Sequence, residues 1–277
     1  MIGVFDSGFG GLTILKSFLE KLPAYDYLYL GDNARTPYGN RSPELIYQFT
    51  TEAVDFLFKK GCQLIIIACF TASAEALRRI QQEVLPRYQA FDSSLSKRIL
   101  GVIRPLVEEA VQVSRFGRIS VIGTQATVNS QSFVKELNKL RPGLTIYQQA
   151  CPLLVPLVEE DYQARREAKI ILRNYLRPLK LKKIDTLILG CTHYPIMLKQ
   201  IKQVMGKNCQ ILNPGEVVAK FLIDYLARHP EIESELLKNG QAKFYTTDDP
   251  IKFKTLGSNF LARPISEVEK IDLPFKK

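Results

Sequence analysis

The chain has 277 residues, 46% of them hydrophobic and 24% charged, with a formal net charge of +10; this is enough apolar content to bury the core of one large or two ordinary domains. No apolar run approaches the roughly 20 residues that span a bilayer, and a strand-like IGVF directly after Met1 leaves no room for a signal peptide. Five widely spaced cysteines (Cys62, Cys69, Cys151, Cys191, Cys209) read as reduced cytoplasmic thiols and exclude a disulfide framework. The two histidines, His193 and His229, offer no paired zinc spacing.

In chain order, β-rich runs lie at 2–5 (IGVF), 26–31 (DYLYLG), 64–70 (LIIIACF), 99–103 (ILGVI), 118–124 (RISVIGT), 145–150 (TIYQQA), 186–191 (TLILGC) and 209–213 (CQILN). Helical patterns fill most of the gaps; SPELIYQFTTEAVDFLFKKG, at 42–61, has apolar residues at helical spacing and ends at a glycine. The alternation predicts α/β layers with a mostly parallel sheet. The nearly unbroken LIIIA and LILG predict central strands buried on both faces. No low-complexity linker divides the chain. The polar FDSSLSKR, at 91–98, is the best crossing point between domains, and GKNC, at 206–209, a return crossing. This gives a first α/β domain of 1–97 plus 209–277 and a second of 98–208. Basic residues are spread among Glu and Gln, and the densest cluster, RPLKLKK at 177–183, is short. They predict a solvated surface with no direct nucleic-acid contact, and a long-range attraction for a small anionic substrate.

Three stretches can carry chemistry. VFDSGFGG, at 4–11, ends a strand in Asp6 and Ser7 and turns on glycines into a helix whose free N–H groups can hold a carboxylate or phosphate. Thr13 stands where the dinucleotide fingerprint needs its third glycine, and no GK[ST] follows; a plain helix cap is the alternative. ACFTAS sets Cys69 beside Thr71, and LGCTHYP sets Cys191 beside Thr192 and His193. Both cysteines sit at the end of a buried strand, where α/β folds place ligands and a helix N-terminus would lower a thiol pKa. Cys62, Cys151 and Cys209 lack that setting and read as small buried hydrophobes. Two thiols in matching contexts suit one task, taking a proton from one face of a carbon and returning one on the other. The α-carbon of an amino acid is so weakly acidic that the base must be close, desolvated and aligned. Asp6 near Cys69 and His193 near Cys191 would shuttle or tune those protons, while backbone amides and hydroxyls hold carboxylates.

The chain resembles the glutamate racemase family, of the cofactor-independent aspartate/glutamate racemase superfamily. GVFDSGFGGLTILK, GDNARTPYG, ACFTASA, GVIRP, GTQATVNS, CPLLVPLVE, LGCTHYP and FYTTDDPIKF fall in the family's order and approximate spacing over nearly the whole length. The resemblance implies two similar α/β domains with mostly parallel sheets, related by a pseudo-twofold, with the active site in the cleft between them. It implies interconversion of L- and D-glutamate in the cytoplasm, without cofactor or metal, to supply D-glutamate for peptidoglycan. By the same carry-over Cys69 and Cys191 are the two acid/bases, Asp6 assists Cys69, and His193 assists Cys191. Glu159 matches an acidic residue near the second cysteine, a helix N-terminal carboxylate being the alternative. Ser7, Tyr38, Gly39, Thr71 and Thr192 match glutamate-binding positions, with Asp6, Phe70 and His193 beside them, and Thr124 lies in a motif near the site. Glutamate is the expected small-molecule partner, no membrane is expected, and a homodimer is compatible. His229 matches nothing and reads as a surface residue at a helix end.

Three departures stand out. Phe70 replaces the family's Asn after the first cysteine, Arg104 replaces Glu in GVIEP, and Asn33 replaces Thr in GDTAR. A Phe70 ring pointing into the cleft would narrow the pocket and disfavour a Cys69 thiolate. A ring turned into the core would leave the backbone amides at 70 and 71 to hold the substrate. Phe70 therefore keeps open a racemase for another substrate such as aspartate, or a weakly active or inactive binding protein on the same fold.

Overall fold

The computed structural model describes residues 1–91 and 97–274, so most of the expected crossing segment at 91–98 lies outside it. Ten strands are described: β1 (Ile2–Asp6), β2 (Tyr27–Gly31), β3 (Leu64–Ile67), β4 (Arg98–Gly101), β5 (Arg118–Gly123), β6 (Thr145–Ala150), β7 (Thr186–Gly190), β8 (Gln210–Leu212), β9 (Ala242–Thr246) and β10 (Glu269–Lys270). They form a six-stranded sheet in the order β10-β9-β2-β1-β3-β4 and a four-stranded sheet in the order β6-β5-β7-β8. Every pairing is parallel. Parallel neighbours need long crossovers, and helices supply them. The order β2-β1-β3-β4 in the first sheet recurs as β6-β5-β7-β8 in the second, so the chain builds one α/β pattern twice.

All eight expected strands form, and β1, β3 and β7 are buried along their whole length, as their unbroken apolar runs require. Two of them end early. LIIIACF leaves the strand at Ile67, and a helix runs from Phe70 to Glu75 with Cys69 as its N-cap. ILGVI leaves at Gly101 for a helix over Ile103–Val113. A short apolar run does not separate strand from buried helix by pattern alone. β9, inside AKFYTTDDP, went unread, since only its last three residues are buried; it pairs with β2, Tyr27 opposite Ala242. The two-residue β10 carries no pattern at all.

Sheet membership bears on where the units divide. β4, beyond residue 97, pairs with β3 of the first sheet, and β8, beyond residue 208, pairs with β7 of the second. We propose that the chain crosses after Gly101 and returns after Leu212. The returning helix, Pro214–Arg228, then packs on the helices Leu12–Lys21 and Ile103–Val113, one from each side of the first crossing. Gly215 permits that approach, because a Cβ there would lie 2.5 Å from Ser17 Oγ and 2.9 Å from the Thr13 carbonyl. Among the described residues, no helix is long and apolar enough to cross a membrane.

Candidate active site

The repeated pattern sets the candidate residues in equivalent places. Asp6 ends β1 and Ser7 follows it, while Thr124 follows β5; Cys69 lies just past the end of β3, and Cys191 follows β7. All are at carboxyl ends of parallel strands, where open α/β sheets leave backbone groups and helix starts free for a ligand.

Asp6 is fully buried. The Gly8 N–H donates to its Oδ2 at 3.0 Å, and the Thr192 hydroxyl donates to Oδ1 at 3.3 Å. Burial raises its pKa, and the His193 charge, the Gly8 and Gly11 amides and Thr192 offset this only in part. The Cys69 thiol donates to Ser7 Oγ at 3.4 Å, and its Sγ accepts from the Ala72 N–H at 3.5 Å. Burial, then the charge of Asp6, push Cys69 up to about 12, against the hydrogen bonds from Ser7 and Ala72. The expected lowering by a helix N-terminus is thus outweighed: the helix is only six residues long and the sulfur is out of water. Cys69 rests as a thiol.

In the second half the neighbour of the cysteine is a histidine rather than a carboxylate. Cys191 Sγ lies 3.9 Å from His193 Nδ1, and His193 Nε2 lies 3.0 Å from Glu159 Oε1. Burial alone would lower the His193 pKa, but hydrogen bonds to Cys191 and Glu159 and the charges of both raise it to about 10. The ring is an imidazolium at neutral pH, a cation 3.9 Å from the Cys191 sulfur. Its edge rests on Phe260, 5.4 Å between centroids at 82°. Glu159 ends the helix Leu154–Glu159, so the alternative of a helix N-terminal carboxylate does not hold.

Polar contacts join the two halves. The Thr13 hydroxyl donates toward the Gly10 and Thr192 carbonyls, each at 2.9 Å. Thr71, Thr124 and Thr127 form a hydroxyl cluster, 3.0 Å from Thr124 to each of the others and 3.4 Å between Thr71 and Thr127. Gly39 rests on Thr124, where a Cβ would come within 2.8 Å of the threonine Cβ. At Gly10 a Cβ would stand 2.2 Å from Thr192 Oγ1 and 2.5 Å from His193 Nδ1. Only a hydrogen fits there.

Two expected residues, Phe70 and Tyr38, are placed differently. The Phe70 side chain, expected beside the substrate, is 2% exposed and stacked on Phe133, 6.1 Å between centroids at 21°. Its ring has turned into the apolar core, leaving the backbone at 70 and 71 for any ligand. Tyr38 is likewise buried, its hydroxyl donating to Asp32 and its ring between Phe5 and Phe49, and it is the neighbouring Gly39 that borders Thr124. Arg35 braces that arrangement by donating to Asp32 at 2.7 Å and to Glu52. Arg104 points to solvent and pairs with Glu108 and Glu136. His229 follows the helix Pro214–Arg228 and pairs with Glu231, and Cys62, Cys151 and Cys209 are buried. The sequence reading missed Thr13, Thr127 and Asp32. The i, i+3, i+6 spacing of Asp32, Arg35 and Tyr38 is the signal that could have found the last. Among the described residues no group of three or more His, Cys, Asp or Glu side chains could hold a metal.

The family profile described as Asp/Glu/Hydantoin racemase matches residues 2–222. The glutamate racemase of Geobacter metallireducens is 36% identical over 276 residues, spanning 100% of this chain and 98% of its own. The chain belongs to the glutamate racemase family. Within that family, the glutamate racemase of Aquifex aeolicus is 40% identical over 248 residues, 89% of this chain and 88% of that one. Among solved structures, a glutamate racemase isoform from Bacillus anthracis superposes with a TM-score of 0.89 at 36% identity, covering 100% of this chain and 98% of that one. The glutamate racemase of Francisella tularensis, solved in complex with D-glutamate, gives 0.85 at 34% identity, covering 98% and 97%. Family membership makes the chain an isomerase acting on amino acids, on a fold of two α/β units.

Proposed function

We propose that the chain interconverts L- and D-glutamate without a cofactor, with Cys69 and Cys191 as acid/bases on opposite faces of the α-carbon. One observation carries this reading: two buried cysteines at equivalent ends of two repeated units, each with its own polar escort, Ser7 and Asp6 for Cys69, His193 and Glu159 for Cys191. The names of the relatives support glutamate as substrate. The packing of Phe70 against Phe133 supports an open pocket over one narrowed by the ring.

In one direction Cys191 acts as the base, with His193 beside it, and removes the α-proton. The C–H electron pair stays on the substrate as a carbanion, and the Cys69 thiol delivers its proton to the other face. Cys191 is then the thiol and Cys69 the thiolate, which is the starting state for the reverse reaction. Asp6, with its raised pKa, is the group beside Cys69 able to take part in returning the proton. The hydroxyls of Ser7, Thr71, Thr124 and Thr192 and the backbone amides at 38–39 and 70–71 hold the carboxylates in a site with little water, where such bonds are strong. D-glutamate so formed would serve peptidoglycan synthesis in the cytoplasm.

The test is racemisation of L- and D-glutamate, with L-aspartate as comparison, by the wild type and by Cys69→Ser and Cys191→Ser. Serine is a far weaker acid, so each variant should lose at least about 10²-fold, the scale of a positioned acid–base group. Near wild-type racemisation in both directions by Cys191→Ser would refute the mechanism, and faster turnover of aspartate than glutamate would refute the substrate.

A further inference from the structure

The Thr13 hydroxyl has a single proton and two carbonyls within reach, those of Gly10 and Thr192, each at 2.9 Å. The two do not need it equally. The Gly10 carbonyl already accepts from the Thr13 backbone N–H at 3.0 Å. The Thr192 carbonyl has no backbone donor among the described residues, and LGCTHYP shows why. In the tight turn after β7 the Tyr194 N–H donates to the Cys191 carbonyl and the Ile196 N–H to that of His193. The residue that would serve Thr192 in the same i to i+3 pattern is Pro195, which has no N–H. Thr13 and Thr192 are both buried, and a buried carbonyl without a donor is costly. The hydroxyl proton therefore belongs on Thr192.

Thr13 lies in the helix Leu12–Lys21 of the first unit, and Thr192 stands between Cys191 and His193 of the second. We propose that Thr13 is a positioning residue for His193: by donating to the Thr192 carbonyl it ties the peptide that carries His193 to the first unit. That peptide joins Thr192 directly to His193, so its plane sets where the His193 side chain starts. The ring then reaches both its partners, Cys191 Sγ at 3.9 Å and Glu159 Oε1 at 3.0 Å. The Thr192 hydroxyl donates to Asp6 Oδ1 at 3.3 Å, which gives the same residue a second attachment to the first unit. Without the Thr13 hydroxyl only that side-chain attachment remains. The peptide can then tilt and carry the ring away from the line between Cys191 and Glu159, and small displacements of a positioned group are expensive in rate. Proline at 195 thus leaves a carbonyl open, and a threonine of the other unit closes it, so the ring is set only when the two units are seated together. The inference rests on the proposed role of His193 as the partner of Cys191.

The test is kcat/KM for glutamate in Thr13→Val, which keeps the shape and removes the donor, and in Thr13→Ser, which keeps the donor. Each is made alone and with His193→Gln, folding is checked by thermal unfolding, and turnover is read as solvent deuterium gained at Cα so that slow variants still give a rate. Thr13→Val should lower kcat/KM about tenfold, the scale of one hydrogen bond to a buried group, while Thr13→Ser stays within about twofold of wild type. In the His193→Gln background Thr13→Val should cost less than about twofold further, because the side chain it positions is gone. Thr13→Ala, which removes the donor without putting a methyl in its place, must show a loss comparable to that of Thr13→Val. Wild-type kcat/KM in a folded Thr13→Val, a Thr13→Ser as impaired as Thr13→Val, or an equal loss in both backgrounds would overturn the proposal and leave Thr13 as packing. If His193→Gln alone left kcat/KM unchanged, the role of His193 itself would fail, a result distinct from an impaired His193→Gln on which Thr13→Val is additive.

Discussion

Phe70→Asn, which restores the residue usual in the family, should destabilise the protein without raising its activity on glutamate. The ring is 2% exposed and stacks on Phe133, which belongs to the helix Ser132–Leu140 that follows β5 of the second sheet. The stack therefore ties the helix after Cys69 to the second unit. Removing a buried Phe ring typically costs about 3 to 5 kcal/mol, part of it the ring pair. Asn adds an amide with no acceptor in an apolar surrounding, worth roughly a further 1 to 3 kcal/mol. At about 2 to 4 °C per kcal/mol for a chain of this size, Tm should fall by roughly 10 °C or more. Thermal unfolding measures that loss, and kcat/KM for glutamate below the transition tests the site. Phe70→Leu, which keeps an apolar side chain, should lose much less. A Tm within two or three degrees of wild type, together with a severalfold gain in kcat/KM for Phe70→Asn, would refute the reasoning and place the ring in the cleft.

Gly10→Ala should reduce racemisation by about 10²-fold or more, since its Cβ would stand 2.5 Å from His193 Nδ1; wild-type kcat/KM in a folded Gly10→Ala would contradict the packing. His193 also predicts a pH signature. Its folded pKa, about 10, is above the ordinary 6.5, so its contribution to stability is full below pH 6.5 and is lost as pH rises through 10. In urea unfolding the advantage of wild type over His193→Gln should shrink steadily between those values, and a gap that stays constant would contradict a protonated His193.

Much of this arrangement was legible in the sequence because strand ends are. The unbroken LIIIA and LILG fixed two central strands, and a cysteine just past each fixed its place at a carboxyl end. What the sequence hid was direction. Nothing in ACFTAS says that residue 70 turns its ring to Phe133 while residues 69 and 71 turn to the site, because the first turn of a helix sends neighbouring side chains to different faces. Tyr38 is the same case, a residue in a glutamate-binding motif whose hydroxyl is committed to Asp32. The electrostatics were hidden for a related reason. A helix start after Cys69 suggested a lowered pKa, but burial and Asp6 decide the sign, and neither is local in sequence. Asn33 reads as a mild exchange for threonine, and nothing in GDNAR shows that its Oδ1 accepts from Thr246, far along the chain.

The most direct test of the two-thiol account is proton exchange at the α-carbon during the first turnovers. L-glutamate is incubated with the wild type in deuterated water, without added cofactor, and both enantiomers are separated and analysed by mass spectrometry. With one thiol on each face, the D-glutamate formed should carry one solvent deuterium at Cα while the remaining L-glutamate is still largely unlabelled. D-glutamate that keeps its original hydrogen, or label washed equally into both enantiomers from the start as a single base serving both faces would give, would contradict it.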